Sequence, residues 1–186
     1  MPLRDVIFTR RSIKEFTDRV PTREEIEELL EAVCQAPNHR HTEPWRFYVL
    51  GPEARAGYGR ALGLRKAKKI ENEEAAQAVI EKVESLHRTL PAMIAVSVVV
   101  HENAEVCEED YAAAFMGIQN LSLLAHAKGL GTQIMTGAVM NDPNSLAAMR
   151  VPEGERVVAT VRLGEPAQLP EGKARKAASG LTIWLP

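Results

Sequence analysis

Cysteine is nearly absent from this chain: only Cys34 and Cys107 occur, far apart and without C-x-x-C spacing. That excludes a small secreted fold stapled by disulfides, and both residues are expected to be reduced thiols in a cytoplasmic protein. Long apolar runs are missing too. Every such stretch falls well short of the roughly 18 residues a membrane helix needs. The start, "MPLRDVIFTRR", carries Asp5 where a signal peptide would have its apolar core. Neither a signal peptide nor a membrane span is therefore expected. Nor does charge of one sign dominate. A net charge of −2 supplies no general field toward nucleic acid or anionic lipid, so any anion site must be local. There is no Walker loop, no G-x-S-x-G and no zinc-ligand spacing. His39 and His41 flank a single residue without a third ligand, so no metal site is expected. "GLGT" at 129–132 follows a helix and has too few glycines for a dinucleotide fingerprint.

What remains is an ordinary globular composition, 45% hydrophobic and 26% charged over 186 residues. It suits one folded domain over 1–186 that buries roughly 70% of its unfolded surface. Leu3, Val6, Ile7 and Arg10 follow helical spacing and predict a short first helix ending near Ser12. In "VPTREEIEELLEAVCQAP", Thr22 and Glu25 form a capping box, Ile26, Leu29, Leu30 and Val33 make an apolar stripe, and Pro37 stops the helix. "WRFYVL" at 45–50 reads as a strand. From 52 to about 90 the chain turns helical and highly charged, which predicts a peripheral helical excursion with one weak apolar stripe.

"MIAVSVVV" at 93–100 is apolar throughout and reads as a strand buried on both faces in mid-sheet. A long, centrally packed helix follows, with Glu108, Glu109 and Asp110 in its first turn as dipole complement, His126 as a structural histidine, and Gly129 as its stop. "TQIMTG" (132–137), a short helix begun by Asp142 and Pro143, and the strand "RVVATVRLG" (156–164) come next. A tail at about 165–186 ends in the apolar "LTIWL", for which a partner subunit is the natural cover. Helices and strands mix without regular β-α-β alternation, which predicts an α+β fold with a mixed central sheet covered by helices.

Four separated pieces carry possible chemistry: "RRS" at 10–12, "APNHRHTEPW" at 36–45, "GLGTQIMTG" at 129–137 and "KARK" at 173–176. Singly, each has a plain structural reading. The first can cap a helix, the second is a polar loop, the third is a helix stop leading into a strand, and the fourth is a solvated tail.

Taken in order, the four pieces resemble the nitroreductase family, flavin-dependent oxidoreductases of the nitro-FMN-reductase fold, and most of all its small, compact branch. The resemblance covers nearly the whole chain. It implies α/β/α layers in a homodimer with FMN at the subunit interface. It places the flavin phosphate and ribityl chain on Arg10, Arg11 and Ser12, with Lys173 and Arg175 reaching the phosphate from the C-terminal side. A phosphate monoester carries nearly two negative charges and suits arginine forks. Gln35, Pro37, Asn38 and His39 match the loop that meets the flavin from the partner subunit. Met135, Thr136 and Gly137 match the stretch along the isoalloxazine ring, where the backbone N–H groups of Thr136 and Gly137 would face N5 and O4. His41, Glu43 and Met135 depart from the residues usual at their positions.

With FMN carrying the electron chemistry, no catalytic side chain is expected. The implied activity is a ping-pong cycle in which NAD(P)H gives up hydride and a nitroaromatic or quinone-like acceptor is then reduced. Dehalogenation, thiazoline oxidation, flavin destruction and a non-catalytic FMN-binding module stand as alternatives. The only other implied partner is a small-molecule acceptor.

Overall fold

A computed structural model describes residues 1–186. Its frame is a four-stranded sheet in the order β1-β2-β4-β3, made by β1 (Trp45–Val49), β2 (Ala92–Val99), β3 (Gly131–Met135) and β4 (Glu155–Gly164). All three strand pairs run antiparallel. The sheet is mixed only through an isolated parallel bridge between Ser12 and Thr132, at the outer edge of β3.

The continuous apolar run of β2 reflects burial on both faces. Ile94, Val96 and Val98 pack with α2 (Arg23–Cys34) and α5 (Ala104–Ala127). Met93 and Ala95, pointing the other way by the two-residue period of a strand, join a second cluster. That cluster includes Tyr58 and Ala61 of α3 (Pro52–Ala67) and Met149 of α6 (Pro143–Met149). The result is helices on both sides of one sheet, α/β/α, as expected.

Local chemistry explains the helix ends. Thr22 accepts from the Glu25 N–H at 3.2 Å while the Glu25 carboxylate accepts from the Thr22 N–H at 2.9 Å, completing the capping box. Asp142 caps α6 through the Asn144 N–H, with Pro143 at the first position. The first helix, α1 (Leu3–Thr9), is shorter than its apolar spacing predicts, because Arg10 leaves it with extended dihedrals.

Two expectations are corrected. The charged stretch after residue 52 is peripheral only in its second half. There α4 (Glu73–Arg88) buries just Ile80 and His87, whereas α3 buries Arg55, Ala56, Tyr58, Gly59, Ala61 and Gly63. Small residues bury a helix face without raising its hydropathy, so the pattern understates α3. The acidic trio also does not open α5. That helix begins at Ala104 under an Asn103 cap, which puts residues 108–110 beyond the first turn, with Asp110 buried.

Helices α2 and α5 meet at Gly117. A Cβ added there would lie 2.5 Å from Val33 Cγ1 and 2.7 Å from the Val33 carbonyl oxygen. Because one of these neighbours is backbone, Gly117→Ala must push α2 away from α5. We expect it to cost about 1–3 kcal/mol, measured as a lower urea midpoint at unchanged m-value.

Candidate functional site

Backbone pairing brings the two ends of the chain together. The Ile13 N–H donates to the Thr132 carbonyl, tying residues 12–13 to β3. Farther along, the Thr17 N–H donates to Glu165 and the Ala167 N–H to Glu15. A second bridge joins Phe16 to Pro166. The N-terminal segment thus lies between the sheet edge and the chain leaving β4, and "RRS" comes to face "KARK".

Between them lies a cleft of about 910 Å³ lined by Arg10, Arg11, Ser12, Lys173 and Arg175. Phe8 and Lys14 from the N-terminal side and Gln168 from the tail also line it, beyond the residues expected from the sequence. Lys14 sits two residues past Ser12, on the same side of an extended segment, and that spacing was the available signal. Nothing in the sequence marks Gln168.

The electrostatics of this cleft are one-sided. None of Arg10, Arg11, Lys14, Lys173 and Arg175 has a carboxylate within 4.0 Å, although Glu15 and Glu171 also line the wall. The Arg10 guanidinium is held below its ordinary pKa by burial, then by the nearby Arg175 and Arg11 charges. Cations pressed together without a counter-ion repel one another, and a polyanion converts that repulsion into binding energy.

Arg11 has two duties. It donates to the Phe8 and Arg10 carbonyls at 2.9 Å each, satisfying the end of α1. Its guanidinium also lies so close to Gly172 that a Cβ there would meet Nη2 at 2.5 Å. The helix-end reading therefore applies to Arg11, and Arg10 is left free of protein partners. His126, beside this wall, is a satisfied histidine as expected. The Thr9 hydroxyl gives its proton to the Asp5 carbonyl at 2.6 Å, so His126 Nε2–H donates to Thr9 Oγ1 at 2.8 Å. Burial, then Arg10 and Arg11, lower the His126 pKa and favour the neutral ring.

The other expected site residues lie elsewhere in the protomer. Met135 closes β3, and Thr136 and Gly137 follow it on the surface. Three residues past the Thr132 bridge, at about 3.3 Å each, place Met135 about 10 Å from the Ser12 end of the cleft. Gln35, Pro37, Asn38 and His39 follow α2; Asn38 and His39 bond to Asp110 and Glu109 of α5, and Pro37 borders a shallow groove with Phe115 and Met116. One protomer therefore joins the two charged pieces and keeps the polar loop apart. The terminal Leu181, Ile183, Trp184 and Leu185 are exposed, Trp184 to 89%.

The profile of the Nitroreductase family matches residues 7–165. The chain belongs to the nitroreductase family. The "Putative NAD(P)H nitroreductase YfhC" of Bacillus subtilis is 34% identical over 176 residues, covering 93% of this chain and 89% of that protein. The "Putative NAD(P)H nitroreductase YdjA" of Escherichia coli is 26% identical over 163 residues, 87% of each. Among solved structures, a nitroreductase-like family protein from Bacillus cereus superposes with a TM-score of 0.86 at 29% identity, covering 100% of this chain and 96% of that one. A Desulfovibrio desulfuricans nitroreductase relative crystallised in complex with FMN gives a TM-score of 0.74 at 25% identity, over 100% and 98% of the two chains. This member of the nitroreductase family thus keeps the fold along its full length. No helix in it is long and apolar enough to cross a membrane.

Proposed function

We propose that this protein is an FMN-dependent oxidoreductase that takes reducing equivalents from NAD(P)H and passes them to a nitroaromatic or quinone-like acceptor in a ping-pong cycle. The observation that carries this reading is the cleft in which Arg10, Lys173 and Arg175, from opposite ends of the chain, converge without carboxylate partners. The relatives named for NAD(P)H nitroreductase activity and the FMN complex of a fold neighbour support it.

Arg10, Lys173 and Arg175 would hold the phosphate, with the Ser12 hydroxyl completing the donor set. Arginine suits this task because its planar fork offers several N–H groups to one oxyanion. The segment Met135–Gly137, half-buried at Met135 and exposed at Thr136 and Gly137, would lie along the ring, with backbone N–H groups as donors. A second copy of the chain would close the site with its loop at 35–39, and the bare apolar tail of each copy would find its cover on the other. When bound, FMN supplies the hydride and electron chemistry that no side chain provides. The protein's part is to hold the phosphate, exclude water from one ring face and leave the other open.

The test is spectroscopic. The purified protein should show a flavin spectrum or take up added FMN. NADH or NADPH should bleach it, and a nitroaromatic or quinone should restore the colour, with parallel initial-rate lines when both substrates are varied. A well-folded sample that ignores FMN overturns the reading. Bleaching without acceptor turnover reduces it to a flavin carrier or another flavin reaction, and intersecting rate lines exclude ping-pong.

A further inference from the structure

The loop between α2 and β1 is folded in an unusual way. His41 and Glu43, neither of them glycine, have positive φ of 50° and 44°, a conformation that L-residues adopt only when their surroundings impose it. Thr42, which lies between them, is held by a carboxylate on α5. Asp110 is 2% exposed and has no lysine, arginine or histidine within 4.0 Å. A buried carboxylate needs hydrogen-bond donors, and its side-chain donors both come from this loop, the Thr42 hydroxyl and Asn38 Nδ2.

Asn38 is consumed by the same network. Its Nδ2 donates to Thr42 Oγ1 at 3.1 Å and to Asp110 Oδ1 at 3.3 Å. Its Oδ1 accepts the Glu43 N–H at 2.9 Å, and its own carbonyl accepts the His41 N–H at 3.2 Å. Both amide hydrogens and the side-chain oxygen are thereby engaged inside the protomer. Outside this inner latch, Glu109 holds His39 Nδ1 at 3.0 Å and Arg40 Nε at 2.7 Å, at a more exposed position. His41 and Glu43, the two residues with positive φ, are exposed and their side chains take no part in the network.

We infer that Asp110 is a positioning residue that locks loop 38–43, with Asn38 as part of the lock, so that the loop is presented preformed to the cofactor held by a second copy of the chain. The inference rests on the reading given under Proposed function. It revises the expectation for Asn38, which acts through Asp110 and Thr42 instead of touching the flavin with its side chain. A preformed loop loses less conformational freedom on binding than a loose one, so breaking the latch weakens FMN binding without altering the phosphate cleft.

The experiment is a double-mutant cycle on FMN affinity, together with amide hydrogen exchange over residues 38–43 of the cofactor-free protein. Asp110→Ala and Asn38→Ala should each weaken FMN binding about tenfold, the scale of one charged hydrogen bond. The double variant should be no weaker than either single one, because both break the same latch. Each should speed exchange at Glu43 and His41 and change the visible circular dichroism of bound flavin. Asp110→Asn keeps an acceptor oxygen and should restore both affinity and exchange. Additive losses would overturn the inference by showing that Asn38 contacts FMN directly. Faster exchange with unchanged affinity would show a loop with no role at the cofactor. Unchanged exchange would show that there is no latch. If Asp110→Ala does not fold, Thr42→Val removes the hydroxyl from the loop side and replaces it in the cycle. A wild-type protein that binds no FMN defeats the functional reading alone, because hydrogen exchange still reports on the latch.

Discussion

Replacing Arg10 and Arg175 together by alanine should lower FMN affinity by about 10²- to 10⁴-fold, taking about 1.5–3 kcal/mol for each charge-assisted hydrogen bond. The same variant should be at least as stable as the parent when no FMN is present. The two effects have opposite signs for one reason. Without an anion, Arg10 is half-buried beside Arg11 and Arg175, and its lowered pKa records the cost of burial and of those two charges. Truncation relieves that repulsion. With an anion bound, the same charges become the attraction, and truncation removes it.

Thermal melts with and without FMN, combined with fluorescence titration, read both effects, because a ligand raises stability in proportion to the logarithm of its concentration over Kd. FMN should raise the melting temperature of the parent clearly and that of the double variant hardly at all. Added salt should also weaken binding to the parent more than to the variant. Equal FMN affinity in the two proteins would remove the cleft from any role at the phosphate.

Acidification should destabilise the fold through His87, by about 3 kcal/mol once the pH has fallen from neutral to below 4. His87 is 1% exposed on α4, between the Tyr58 ring 5.5 Å away and the Arg162 guanidinium. Nδ1–H donates to the Val83 carbonyl at 2.7 Å, so Nε2 carries the lone pair that accepts from Arg162 at 2.8 Å. Protonating Nε2 would destroy that acceptor and set two cations against each other. Burial, followed by Arg162 and Lys66, accordingly pulls the His87 pKa down from 6.5 to about 4, against the smaller upward pull of the Val83 carbonyl.

The sign follows from linkage. The unfolded chain takes up the proton near pH 6.5 and the folded chain only near pH 4. His87 therefore contributes its full stability above 6.5 and loses it as pH falls through that window. Urea unfolding at pH 7.5 and 4.5 should show the parent losing about 2–3 kcal/mol more than His87→Gln, since glutamine keeps an acceptor for Arg162 without titrating. The comparison with the variant is needed because carboxylates held low, such as Glu25 and Glu109, lose stability in the lower part of the same range. Parallel pH curves for the two proteins would contradict the assignment.

The Arg162 side chain also donates to Gln133 Oε1 at 3.1 Å, linking α4 to the strand that ends at Met135. No feature of the local sequence announces this connection. His87, Arg162 and Gln133 are scattered over 75 positions, and each alone is an ordinary polar residue. The burial of Asp110 is equally silent in sequence. Beside Glu108 and Glu109 it looks like one more charge on a solvated turn, and only the fold of loop 38–43 over α5 takes it out of water.

The sequence by itself determined what depends on near neighbours. The Thr22–Glu25 capping box, the Asp142–Pro143 helix start and the two-faced burial of β2 follow from spacing, side-chain chemistry and the absence of polar breaks. The ordered motifs likewise identified the family, because each is a short local pattern. Only the tertiary structure decided that α3 packs into the core on small residues, that Arg11 serves the end of α1 while Arg10 stays free, and that Asn38 turns inward to Asp110. It also decided that Ile13 and Thr132, and Glu15 and Ala167, would pair and so set five cations around one cleft. Those outcomes depend on contacts between residues distant in the chain, whose meeting is fixed by sheet order and helix packing as a whole.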